Sequence, residues 1–210
     1  MGPPLYKMDL WSDEHVTKPN FLKYNVHTQF QEMSKDKTKI ISSSLCLPFA
    51  LCLLNLTGDS NIGMSVRTAA VMGASDVYII GNKKYDRRSA VGAYHYIEIH
   101  RHKWHDEPVR FFETEGYVPL IIEQDGQPLE DFDFRPYFKP ENKPVLVMGS
   151  EGEGVDKEWL AKLKKAGAKI ISISQCGIIR SLNVSVASSM VMYELCKQMK
   201  KYSSSQLNLL

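Results

Sequence analysis

From residue 45 to about residue 202, short apolar runs alternate with stretches of helical spacing, and this alternation limits the chain to one kind of architecture. Runs at 47–56, 76–81, 96–102, 117–124, 144–149 and 168–174 read as strands. Between them, 61–72, 104–115 and 156–166 read as helices, and a last helix spans 181–202. Such alternation predicts an α/β fold, a parallel sheet with helices on both faces. Gly73 and Gly167 stand where two helices should stop, and Asp156 where one should start. In the last helix Leu182, Val186, Met190 and Tyr193 fall on one apolar stripe.

Residues 1–44 lack the pattern and read as an N-terminal extension, with a solvated connector at 34–39. Residues 203–210 read as a C-terminal tail, which leaves 45–202 as the main domain. No apolar run reaches the length of a membrane span. The first ten residues carry Lys7 and Asp9 and no apolar core of a secretory signal, so a cytoplasmic or nuclear location is expected. Cys46, Cys52, Cys176 and Cys196 form no Cys-x-x-Cys pair; they read as reduced, mostly buried thiols, and no metal site is expected. A net charge of +2 excludes a globally basic nucleic-acid binder and turns attention to local patches.

Three segments carry chemistry. The first, 58–70, enters a helix from the carboxyl end of a strand, where open α/β sheets bind ligands. There Gly63 and Arg67 share a helix face, so that a ribose or a backbone can approach beside a guanidinium able to grip phosphate with two hydrogen bonds. The plain alternative is that Gly63 serves close helix packing and Arg67 is a surface charge. The second segment, 145–155, places Gly149, Gly152 and Gly154 after a buried strand, a spacing that is neither Walker A nor Gly-x-Gly-x-x-Gly. Its carboxylates Glu151 and Glu153 would repel phosphates, so it suits a ligand without phosphate or one with a positive centre. The alternative is a plain glycine turn. The third segment, 171–189, leads from a strand through a glycine-bearing loop to a helix start with the polar side chains of Ser181, Asn183 and Ser185. Ser181 can also be read simply as the helix N-cap.

Taken together, Asn61/Gly63/Arg67, Gly149/Glu151/Gly154 and Ile173/Gly177/Ser181/Leu182/Asn183/Val184/Ser185 resemble the SpoU/TrmH family of RNA ribose 2′-O-methyltransferases in the SPOUT superfamily, over about residues 47 to 200. The sequence departs from the family pattern at Ser150, where Asn is frequent, and at Ser174 and Gln175, where Pro-Met is common. The run from Gln175 to Asn183 is similar to eukaryotic members that methylate a guanosine in the tRNA D-loop. The resemblance implies a C-terminal deep trefoil knot, a homodimer with its sites near the subunit interface, and S-adenosylmethionine as cofactor. It further implies that Gly149, Ile173 and Leu182, and less directly Glu123, line the cofactor pocket. Arg67, Asn61, Glu151, Ser181 and Asn183 are implied as the catalytic set. A guanidinium is a donor and a poor base, so Arg67 is expected to hold phosphate and stabilise a developing alkoxide.

The substrate expected is RNA, tRNA foremost and rRNA as the alternative. Lys83, Lys84, Arg87, Arg88 and Tyr94 lie in a stretch that joins basic side chains to tyrosines, a combination suited to phosphates and unpaired bases. The cluster His100, Arg101, His102, Lys103 and His105 reads as surface. Two rivals remain: an RNA-binding protein that kept the fold and lost turnover, and a nucleotide-dependent oxidoreductase, which lacks its glycine fingerprint here.

Overall fold

The computed structural model describes residues 25–54, 58–81, 85–104, 106–150 and 152–207, with no account of the side chains of Asp59 and of 204–207. Glu151, Lys83, Lys84 and His105 therefore lie outside the described residues, as do 1–24 of the expected extension.

Six strands form one sheet: β1 (Leu47–Leu54), β2 (Ala74–Ile80), β3 (Glu98–His102), β4 (Val118–Pro128), β5 (Pro144–Met148) and β6 (Lys169–Ser172). Every neighbouring pair is parallel, in the order β3-β2-β1-β5-β4-β6. The helices are α1 (Lys35–Leu45), α2 (Asp59–Val71), α3 (Pro108–Glu115), α4 (Lys157–Lys165) and α5 (Val184–Leu207). No described helix is long and apolar enough to cross a membrane.

The central strands β1 and β5 are apolar along their length because both faces of the sheet are covered there. Along β1, Leu47, Phe49, Leu51 and Leu53 join one core, with Val66 and Ala69 of α2 and Val191, Met192 and Leu195 of α5. The intervening Ala50, Cys52 and Leu54 join a second core, with Phe112 of α3 and Trp159 and Leu163 of α4. This period of two assigns each side chain to one helix layer.

The expected helix stops are in place. Gly73 and Gly167 follow α2 and α4 with positive φ, and Asp156 accepts from the N–H groups of Glu158 and Trp159, at 3.0 Å each. Three expectations need correction. The supposed connector at 34–39 is the start of α1, because Ser34 caps it by accepting from the Lys37 N–H. This helix is tied to the β3 edge by Ser42 Oγ donating to the Tyr96 carbonyl and by a Lys39–Glu98 ion pair. The last helix begins at Val184 and not at 181, and it continues through 203 to Leu207. Of the cysteines only Cys52 is buried; Cys46 and Cys196 are half-buried and Cys176 is exposed.

Candidate functional site

A cleft of about 320 Å³ opens beyond the carboxyl ends of β4, β5 and β6, the end of a parallel sheet at which such folds bind ligands. Its apolar wall includes Ile122, Met148, Ile173 and Leu182; Glu123, Glu153, Arg180 and Ser181 supply polar groups. All four residues expected to hold the cofactor, Gly149, Ile173, Leu182 and Glu123, are on its wall, and so is Ser181.

The second glycine-bearing segment forms the floor. Ser150 and Gly154 exchange two backbone hydrogen bonds, 2.9 and 3.0 Å long, which pair them as the two ends of a hairpin. A Cβ on Gly149 would lie 2.0 Å from the carbonyl carbon of Gly154, so only glycine lets the strand end and the hairpin meet. Glu123 contributes differently from a simple pocket residue: its Oε1 accepts from the Val155 N–H at 2.5 Å and fixes the hairpin from below. β4 leaves its register with β6 between Ile122 and Gln127, and Glu123 and Gln124 within that interval line the cleft.

Opposite lies the third segment, residues 174–183, irregular and exposed along its length. It is held at three places. Ser174 Oγ donates to Glu130 Oε1 at 2.5 Å; Gln124 Nε2 donates to the Arg180 carbonyl at 2.8 Å; Asn183 Nδ2 donates to Asn61 Oδ1 at 3.0 Å. Asn183 also caps α5, since its Oδ1 accepts from Ser185 N at 2.9 Å and Ser185 Oγ at 2.6 Å. The cap is thus Asn183 and not Ser181, whose side chain is left to the cleft. Gln124 and Arg180 were not anticipated from the sequence. Arg180 lies in the third segment without a role assigned to it there, and Gln124 directly follows Glu123 within β4.

Arg67 is exposed on α2 and absent from the cleft wall. No ion pair or hydrogen bond joins its guanidinium to a described residue. Asn61 and Asn183 also stand outside the wall, joined to each other at its margin. Gly63 follows the plainer of its two readings, close packing: a Cβ there would fall 1.8 Å from Ser89 Oγ, so its absence seats the 3-10 turn Arg87–Ala90 against α2. That turn carries part of the expected RNA surface. Arg88 is almost fully exposed, and its guanidinium closes on Asp86, with Nε 2.9 Å from Oδ2. The Arg87 guanidinium lies 5.2 Å from the Tyr94 ring centre. Tyr94 is half-buried against the core and packs on His95, so its ring is less free for a base than expected. Among the described residues no group of His, Cys, Asp or Glu could hold a metal ion; His100 instead bonds Asp76 at 2.7 Å.

Of the expected stripe, Val186, Met190 and Tyr193 lie on α5 and face solvent, 42–60% exposed, because α5 uses Val184, Val191, Met192, Leu195 and Met199 for the core, while Leu182 precedes the helix on the cleft wall. Met64 and Val71 of α2 are also exposed, at 40% and 73%. They lie three residues before and four after Arg67, on the same side of the helix.

Comparison with known proteins agrees with this fold. The model of the SpoU rRNA Methylase family matches residues 48–193. An uncharacterized tRNA/rRNA methyltransferase of Archaeoglobus fulgidus is 28% identical over 155 residues, 71% of this chain and 65% of its own length. The tRNA (guanosine(18)-2′-O)-methyltransferase of Escherichia coli K12 is 26% identical over 151 residues, 70% of this chain and 62% of its own length. The chain thus spans less than two thirds of either relative. The crystal structure of an AdoMet-bound rRNA methyltransferase from Sinorhizobium meliloti superposes with a TM-score of 0.60 at 27% identity, covering 71% of this chain and 56% of that one.

Proposed function

The chain belongs to the SpoU rRNA Methylase family, and from that premise we propose that it is an S-adenosylmethionine-dependent RNA ribose 2′-O-methyltransferase acting on guanosine in tRNA. The observation that carries this reading is the cleft between the 150–154 hairpin and the 174–183 loop. Its volume suits a cofactor-sized ligand. Its floor needs a glycine at 149, its wall has apolar side chains for an adenine, and Glu123 and Glu153 favour a ligand with a positive centre. When bound, S-adenosylmethionine supplies the electrophilic methyl group; the chain supplies position and field. The backbone around Gly149 and the side chains of Ile173 and Leu182 would hold it, while Glu123 keeps the hairpin in place.

Arg67 would bind the phosphate beside the target ribose and stabilise negative charge growing on the 2′-oxygen, and Ser181 would receive or relay the proton. Since Arg67 stands off its own cleft among exposed apolar residues, we read the α2/α5 face as the contact of a homodimer that carries each arginine to the partner's cleft. Glu151 would then orient a group of the other subunit. Arg87, Arg88, Lys83 and Lys84 would meet RNA phosphates beside α2. The trefoil knot also belongs to this proposal: the chain leaves β6 at one sheet edge, passes Gln124 and returns to dock α5 on α2. Residues 45–202 are taken as the catalytic domain.

The test is incubation with labelled S-adenosylmethionine and total RNA, followed by mass spectrometry of the digested RNA. Label on the ribose of guanosine in the tRNA fraction, lost in Arg67→Ala, is expected. Label confined to rRNA would replace the substrate, and a protein that neither binds the cofactor nor labels RNA would overturn the enzyme.

A further inference from the structure

The loop that closes the cleft is too irregular and too exposed to hold its own shape, so its pins decide where the wall stands. Two of the three belong to residues already considered, Gln124 on the wall and Asn183 at the start of α5. The third is different. Ser174 lies between Ile173 and Gln175, both on the cleft wall, and its hydroxyl reaches away from the cleft to Glu130.

Glu130 sits on a firm base. It belongs to the 3-10 turn Leu129–Asp131, whose Leu129 is buried, as is the following Phe132. Gln198 of α5 rivets the same segment by donating from Nε2 to the Phe132 carbonyl at 2.8 Å and accepting at Oε1 from the Phe134 N–H at 2.9 Å. A carboxylate on a rigid turn therefore holds a serine on a soft loop, through a charge-assisted hydrogen bond. The Ser174 hydroxyl bond also keeps the Glu130 carboxyl below the usual carboxylate range.

We propose that Glu130 is a positioning residue of the cofactor cleft, which acts through Ser174 to hold Ile173 and Gln175 in the wall. This rests on the cofactor reading above. It goes beyond the family pattern, because a proline, common where Ser174 stands, has no hydroxyl to donate.

Three measurements test it, one of them on the unliganded protein. In the unliganded protein, trypsin cleavage after the exposed Arg180 should quicken about two- to ten-fold in Ser174→Ala and in Glu130→Ala, the range expected from one net hydrogen bond. In Glu130→Gln, whose amide oxygen still accepts, it should stay near wild type. Calorimetry with S-adenosylhomocysteine should show a loss of affinity of similar size in the two alanine variants, and Ser174→Ala/Glu130→Ala should be no weaker than either alone. In turnover the loss should appear in the cofactor KM with kcat little changed, unlike a general loss of folding. Wild-type protein that binds no S-adenosylhomocysteine would sink the cofactor reading and this inference with it. Binding by wild type with unchanged cleavage and affinity in both alanine variants would sink the inference alone.

Discussion

Arg67 and Gly149 occupy opposite ends of the dependence of function on single side chains. Arg67 is exposed and makes no ion pair or hydrogen bond to a described residue, so its replacement should leave the fold alone. Arg67→Ala is expected to lower kcat by about 10²–10³ with an unchanged melting temperature, as loss of an oxyanion donor does. Arg67→Lys keeps the charge but not the planar fork, and steady-state kinetics should place it near the alanine variant; a fully active lysine variant would remove the two-pronged phosphate grip from the account. Gly149 is the reverse case. Any side chain there meets the backbone of Gly154 and Val155, so Gly149→Ala should cost about 1–3 kcal/mol in urea unfolding and abolish cofactor binding by calorimetry.

Among the elements, the junction of the loop with α5 and the far ends of β2 and β3 bear different loads. Asn183 caps α5 and reaches Asn61, so Asn183→Ala should destabilise the fold by about 1 kcal/mol in denaturant titration and weaken cofactor binding as the loop slackens. At the opposite end of the sheet, Asp76 accepts from Tyr117 at 2.6 Å and pairs with His100. Burial alone would raise its pKa, but the hydrogen bonds from Tyr117 and His100 outweigh it and hold the carboxyl below its ordinary value. A carboxyl depressed on folding stabilises above the unfolded-state pKa, and that stability is lost as pH falls through the lowered folded value. Wild type should therefore exceed Asp76→Asn in urea midpoint at about pH 7, with the gap shrinking as pH falls below the ordinary aspartate value of about 3.9. The order and type of these elements were legible because strand runs are bounded by glycine and capping residues, as at Gly73, Asp156 and Gly167. Helix α1 was not, since Ser34-Lys35-Asp36-Lys37 is polar on every side and only the cap and the contacts to Tyr96 and Glu98 reveal it. The cleft wall was legible at Gly149, Ile173 and Leu182, where local motifs mark it. Gln124 and Glu130 were silent, because their partners lie 56 and 44 residues away, and no local pattern records such a pairing.

For the whole molecule, the apolar stripe of α5 is the feature whose spacing was legible and whose side was not. Spacing reveals an apolar face but not which of two such faces the core takes. Here Val184, Val191 and Leu195 are inside, and Val186, Met190 and Tyr193 are 42–60% exposed. If that face is the contact between two copies, Val186→Glu/Tyr193→Glu should sediment as a folded monomer with unchanged circular dichroism. It should also lose methyl transfer, because Arg67 no longer reaches a second cleft. A double variant that remains dimeric would place the contact elsewhere.

The bond between Asn61 and Asn183 joins positions 122 residues apart, and α2 rests on α5 across the same distance. A ribosome releases the first partner long before it makes the second. Throughout most of translation the emerging polypeptide therefore lacks one side of the cleft, and a message broken upstream of Asn183 yields a product in which α2 has no α5 to rest on.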